Sequence, residues 1–183
     1  VRFGRVAEVH PSIDSTSTRA RLLAVAGAVE GTTVIADAQS AGRGRLGRSW
    51  SSPPGRNLYL SIVLRPPIAV ETAPQLTLVA GLAAARTARE WVPEAQVKWP
   101  NDIVIAGRKV GGILTELDGR DGGVGFVVLG IGINLNLSIE ELPPELRDKA
   151  ASLAMFRPAG GAIVREQFAA RLLARLEADY DTF

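Results

Sequence analysis

Arginines and glycines alternate between Gln39 and Trp50. The segment reads Q-S-A-G-R-G-R-L-G-R-S-W, with Arg43, Arg45 and Arg48 set among Gly42, Gly44 and Gly47. A guanidinium is a planar fork of donors matched to phosphate or carboxylate oxygens. Glycine lets the backbone take positive φ or lie close against a ligand. Together they predict a loop that closes over an anionic ligand. The same letters fit G-x-G-x-x-G, the dinucleotide-binding fingerprint, which needs a helix opening within it. Ser49 to Gly55 is loop chemistry instead, and no acidic residue lies near the expected ribose position. The dinucleotide reading is therefore set aside.

Three further segments carry chemistry. Lys98-Trp99-Pro100-Asn101-Asp102 follows a short strand, and Pro100 holds Trp99 extended, which aims Lys98, Asn101 and Asp102 into one crevice. Asp102 suits a hard cation such as Mg²⁺, and the Asn101 amide both donates and accepts. The competing reading is a plain turn. In Arg108 to Glu116, Gly111 and Gly112 interrupt an apolar strand. Glycines there mark a close approach, by a ligand beside Lys109 or by a β-bulge. Gly130, Gly132, Asn134 and Asn136 alternate along one strand face, small and then polar. That face fits a ligand lying flat on the sheet, or a packed helix. Asp14-Ser15-Thr16-Ser17 reads first as a helix cap, with hydroxyls also available to a polar ligand head.

These segments need a scaffold. Arg5–His10 predicts a strand, ended by Pro11, and a helix follows the Asp14–Ser17 cap. Strands are expected at Thr33–Asp37 and Asn57–Leu64, and a helix from Pro74 to Trp91 with a small-residue face. Strands at Gln96–Trp99, Asp102–Ala106 and Lys109–Leu117 follow, then a long, mostly apolar strand at Val124–Leu135, with turns at Gly107-Arg108 and Asp118–Gly123. Val124–Leu135 is expected to be central. Pro143-Pro144 and Pro158 punctuate a loop region before an amphipathic helix over Ile163–Tyr180. Hairpin connections build antiparallel pairs. The fold class is thus α+β, a mixed, mainly antiparallel central sheet flanked by helices.

Bulk composition narrows the chemistry. At 183 residues one domain, 1–183, is expected. There are no cysteines, which removes thiol catalysis and thiolate metal sites, and the single histidine, His10, opposes a Ser-His-Asp hydrolase. A net charge of +2 opposes a nucleic-acid coat. No apolar run reaches the roughly twenty residues of a membrane span, and no signal peptide is visible; a cytoplasmic location is the default. Arginine outnumbers lysine 18 to 3, so Lys98, Lys109 and Lys149 merit individual reading.

The four segments, in this order, resemble the biotin–protein ligases, across nearly the whole chain. The resemblance implies a sheet of the class II aminoacyl-tRNA synthetase/biotin synthetase type. It implies an enzyme that makes biotinyl-5′-AMP from biotin and ATP, then biotinylates one lysine of a biotin carboxyl carrier protein such as that of acetyl-CoA carboxylase. On this resemblance Ser15, Thr16, Ser17 and Gln39 line the biotin pocket, and Arg43, Gly44 and Arg45 order over biotin and the adenylate. Lys109 reaches the biotinyl carbonyl and the phosphate. Arg48, Trp50, Asn101 and Asn134 serve the nucleotide, and Asp102 the Mg²⁺. Lys109, Arg43 and Arg45 are the catalytic candidates. The family commonly has Asn where Ser17 stands. The winged-helix and C-terminal β-barrel domains of other members are not expected within this sequence, and a homodimer is consistent with the family's habits. A lipoate or octanoyl transferase would carry a different loop and a Tyr-His pair; a non-catalytic biotin binder is the rival of another class.

Overall fold

Alternating apolar residues set the sheet, and the turns between them set its order. The computed structural model describes residues 2–120, 123–157 and 160–183. Its strands are β1 (Ala7–His10), β2 (Thr33–Ala36), β3 (Leu58–Leu64), β4 (Gln96–Lys98), β5 (Asp102–Ile105), β6 (Arg108–Arg120) and β7 (Gly123–Ile133); the helices are α1 (Thr16–Val25), α2 (Gln75–Ala88) and α3 (Arg165–Thr182). The seven strands form one sheet in the order β1-β2-β3-β7-β6-β5-β4. Only β1 and β2 pair in parallel, across the α1 crossover; every other pair is antiparallel. The expected mixed, mainly antiparallel sheet is present, and β7 is its central strand. Residues 121, 122 and 158, expected in turn or loop, lie outside the described residues.

Each face has its own cover. Leu60, Ile62, Leu129, Ile131 and Ile113 point to the side that α2 and α3 bury, where Leu76, Ala80, Ala84, Phe168 and Leu172 meet them. The alanines of α2 are fully buried at 80, 83, 84 and 88, which lets that helix approach the strands closely. On the other face a smaller cluster joins Ala20, Ala24, Val34, Val63, Phe126 and Val128 under α1. The Arg65 guanidinium donates to the Ala24 and Ala28 carbonyls and so terminates α1. On this face the strands also carry Gly130, which faces Ser17 at the start of α1, and Gly112 and Gly132, which lie under Trp50 at the end of the glycine–arginine loop. Ala106 (φ 47°) and Gly107 (φ 77°) make the β5–β6 hairpin. Among the described residues no helix is long and apolar enough to cross a membrane.

Candidate active site

The register of three strands builds the floor of a cleft. Tyr59 pairs with Gly132 and Ser61 with Gly130 between β3 and β7; Gly112 pairs with Gly132 and Leu114 with Gly130 between β6 and β7. Side chains at these positions share one face because strand residues alternate. The glycines are needed for what sits on them. A Cβ at Gly132 would lie 2.7 Å from the Trp50 ring, one at Gly130 would lie 2.8 Å from Ser17 Oγ, and one at Gly112 would crowd both Lys109 and Trp50. Gly111 answers to packing instead, since its Cβ would meet Ile133 at 2.6 Å. The close approach expected at these glycines thus comes from the protein's own side chains.

The start of α1 forms one wall. Ser15 is the N-cap, its hydroxyl accepting from Thr18 N–H at 3.5 Å, and it does not line the cleft. Thr16 and Ser17 do. The Thr16 N–H and hydroxyl both donate to Gln39 Oε1, at 2.8 and 3.1 Å, and Gln39 Nε2 donates to Ser52. Thr16 and Ser17 hydroxyls reach the buried Ser61 hydroxyl at 2.9 and 3.1 Å. A chain of hydroxyls therefore runs beneath the cleft. Sequence reading missed Ser61 and Tyr59. The available signal was a lone Ser two residues after a Tyr on one face of an otherwise aliphatic strand. The Tyr59 hydroxyl donates to the Pro53 carbonyl and accepts from Asn57, and burial pushes its pKa well above the ordinary phenol value.

The glycine–arginine loop forms the roof as a narrow hairpin. Trp50 N–H donates to Gly42 O and Gly44 N–H to Arg48 O. Gly42 has no room for a side chain, as its Cβ would lie 2.4 Å from the Trp50 carbonyl; Gly47 uses its freedom at φ 73°. The Arg43 guanidinium pairs with Glu116 at 2.7 Å, and Arg45 donates to Asn101 Oδ1 at 3.0 Å. Lys109 Nζ stands 2.6 Å from Asp102 Oδ1 and 5.2 Å from the centre of the Trp50 ring. Lys109 sits where the β5–β6 register shifts; its backbone bonds Lys149 O and Ala151 N–H instead.

Thr16, Ser17, Gln39, Arg43, Gly44, Arg45, Trp50, Asn101 and Lys109 thus line one cleft of about 450 Å³, counting the part open to solvent. Arg48, Asp102 and Asn134 border an adjoining basin, which shares Trp50 and Lys109 with the cleft. Besides Ser15, which caps α1 instead of lining the cleft, two sequence expectations need correcting. Lys98 and Trp99 are exposed and border neither space, because β4 is an edge strand and the turn after it carries Trp99 outward. Asn134 and Asn136 lie past the end of β7. Asn134 binds the Ala151 carbonyl and still borders the basin, whereas Asn136 clamps both the carbonyl and the N–H of Ile163, so its role is to hold the approach to α3.

Asp102 is the one carboxylate shared by Lys109 and the basin, and among the described residues no three His, Cys, Asp or Glu cluster as a metal site. A single carboxylate fits Mg²⁺ that arrives on phosphates, because that ion keeps its waters and takes few protein ligands.

Known proteins resemble this chain over most of its length. The biotin/lipoate A/B protein ligase family matches residues 9–134. The bifunctional ligase/repressor BirA of Bacillus subtilis is 41% identical over 188 residues, covering 98% of this chain and 57% of that protein. The biotin–[acetyl-CoA-carboxylase] ligase of Mycobacterium tuberculosis is 39% identical, covering 88% and 60%. The chain therefore spans a little over half the length of these relatives. The biotin protein ligase of Aquifex aeolicus in complex with biotin and ATP superposes with a TM-score of 0.83 at 34% identity, covering 98% of this chain and 72% of that one. With most of its length matched and its cleft assembled from the matched segments, the chain belongs to the biotin/lipoate A/B protein ligase family.

Proposed function

We propose that residues 1–183 act as one catalytic domain that joins biotin to a lysine of a biotin carboxyl carrier protein. The observation that carries this is the meeting of Arg43, Arg45 and Lys109, from two distant segments, around one cleft over a glycine floor. A biotin carboxylate and an ATP α-phosphate repel each other. Three cations at their meeting point offset that repulsion and stabilise the charge growing on phosphorus. The carboxylate oxygen bonds to the α-phosphorus and pyrophosphate leaves; the acceptor amine then bonds to the acyl carbon and AMP leaves. No enzyme nucleophile is required.

Polarity along the site supports an orientation. The hydroxyl chain at Thr16, Ser17 and Ser61, with Gln39, suits the donors and acceptors of a ureido ring. Trp50 and the apolar wall of the basin suit a base. Lys109, bordering both spaces, suits the reacting carbonyl and phosphate. Glu116 and Asp102 hold Arg43 and Lys109 in place, and an arriving anion competes for those cations. Mg²⁺, held by Asp102, would neutralise the phosphates and assist departure of pyrophosphate. The roof hairpin keeps water from the mixed anhydride. The test is intact mass of a carrier domain after incubation with ATP, Mg²⁺ and biotin. We expect one biotinyl group per carrier. A carrier of unchanged mass, with biotin still bound to the domain, would leave a binder instead of a ligase.

A further inference from the structure

The basin beside the cleft has an apolar side and a charged side. Leu137, Leu142, Pro143 and Leu146 line it together with Trp50, and Arg48, Lys109 and Lys149 supply its cations. Lys109 is paired with Asp102, and the other basin carboxylate, Glu141, is taken by Arg56 at 2.7 Å. Among the described residues, Arg48 and Lys149 have no carboxylate partner. Lys149 is also one of only three lysines in a chain that otherwise uses arginine. Two of the three border this one basin.

The backbone fixes Lys149 beside Lys109. Its N–H donates to Leu146 O at 2.9 Å, and its carbonyl accepts from Lys109 N–H at 2.8 Å. The next residue, Ala150, pairs with Lys109 in a parallel bridge. The segment carrying Lys149 is therefore a rung alongside the lysine that borders the cleft, while its own side chain is exposed at the basin rim.

We propose that Lys149 is a phosphate-binding residue of this basin, holding the terminal phosphates of a nucleoside triphosphate. The proposal rests on the nucleotide reading of the basin given above. With the base against Trp50 and the α-phosphate at Lys109, the β- and γ-phosphates need cations at the solvent side. An ammonium serves a mobile, departing anion as a point charge without a fixed bidentate geometry.

Calorimetric binding of ATP and of AMP to wild type and Lys149→Ala, each with Mg²⁺ and without biotin, tests this. We expect ATP binding to weaken about tenfold, the low end for a hydrogen bond to a charged group, with AMP binding unchanged. Lys149→Arg should restore most of the ATP affinity. Equal losses for ATP and AMP would overturn the proposal, since Lys149 would then act through the basin or through Lys109. Unchanged ATP binding would overturn it too. Failure of the ligase reading looks different: wild type would bind ATP with the same Lys149 dependence yet leave the carrier's mass unchanged.

Discussion

The proposed reaction assigns different tasks to Lys109 and Arg45. Lys109 borders both cleft and basin and is held by Asp102 and by two backbone bonds, so its amine is positioned before any substrate arrives. Lys109→Ala should cut adenylate formation by about a hundredfold or more, the scale of losing one preorganised donor. Biotin-dependent exchange of labelled pyrophosphate into ATP measures it; near-normal exchange would remove Lys109 from the mechanism. Arg45 ties the roof to the Asn101 turn through one hydrogen bond. Arg45→Gly should loosen the roof and speed escape of biotinyl-AMP, visible by quench-flow. Unchanged release would mean that the hairpin is held without this contact.

At the scale of the elements, two of the glycines in β7 have different tasks. Gly130 makes room for Ser17, and Gly132 makes room for Trp50. Gly130→Ala should raise the KM for biotin and spare ATP, while Gly132→Ala should do the reverse. A shift of about tenfold corresponds to the ordinary cost of overpacking. Loss of both affinities in either variant would show that the floor deforms as a whole. On the opposite face α3 is fastened to the core by Phe168, which is fully buried and packs at a tilt against Trp91 with ring centres 5.1 Å apart. Phe168→Ala should destabilise the fold by about 3–5 kcal/mol. A denaturant midpoint lowered at unchanged slope would report this.

Across the whole molecule, ion pairs tie the chain's distant parts and give it an acid limit. Arg165 at the start of α3 bonds Asp37 after β2, and this guanidinium holds the Asp37 carboxyl below its usual range. At the β1 edge Arg19 bonds Glu8 at 2.7 and 2.8 Å and His10 adds a third contact, lowering the Glu8 pKa to about 2 from 4.5. A depressed carboxylate binds its proton more readily in the unfolded chain. Its stabilising contribution is therefore complete above about pH 4.5 and is lost as pH falls towards 2. Glu8→Gln should melt below wild type at neutral pH, and the gap should close across that window. A gap constant down to pH 2 would assign the loss to packing instead.

Local physics made much of this protein legible from its letters. Glycine inside a loop or an apolar strand signals a close approach, so Gly42, Gly112 and Gly132 stood out before any strand was paired, although the approaching group is the Trp50 ring at Gly112 and Gly132 and the Trp50 carbonyl at Gly42. Alternation and turn chemistry sufficed for a mixed, mainly antiparallel sheet with β7 at its centre, and the absence of a helix after Gly47 ruled out the dinucleotide fold. Tertiary structure decided what spacing could not. Lys98 shares a motif with Asn101 and Asp102, yet an edge strand leaves it outside the site. Asn136 continues an alternation begun by two glycines, yet the strand ends first. Ser61 and Glu116 entered the site through register and a cross-sheet ion pair. Those contacts join residues tens of positions apart, and a periodic pattern along one chain carries no information about which distant side chain will stand opposite.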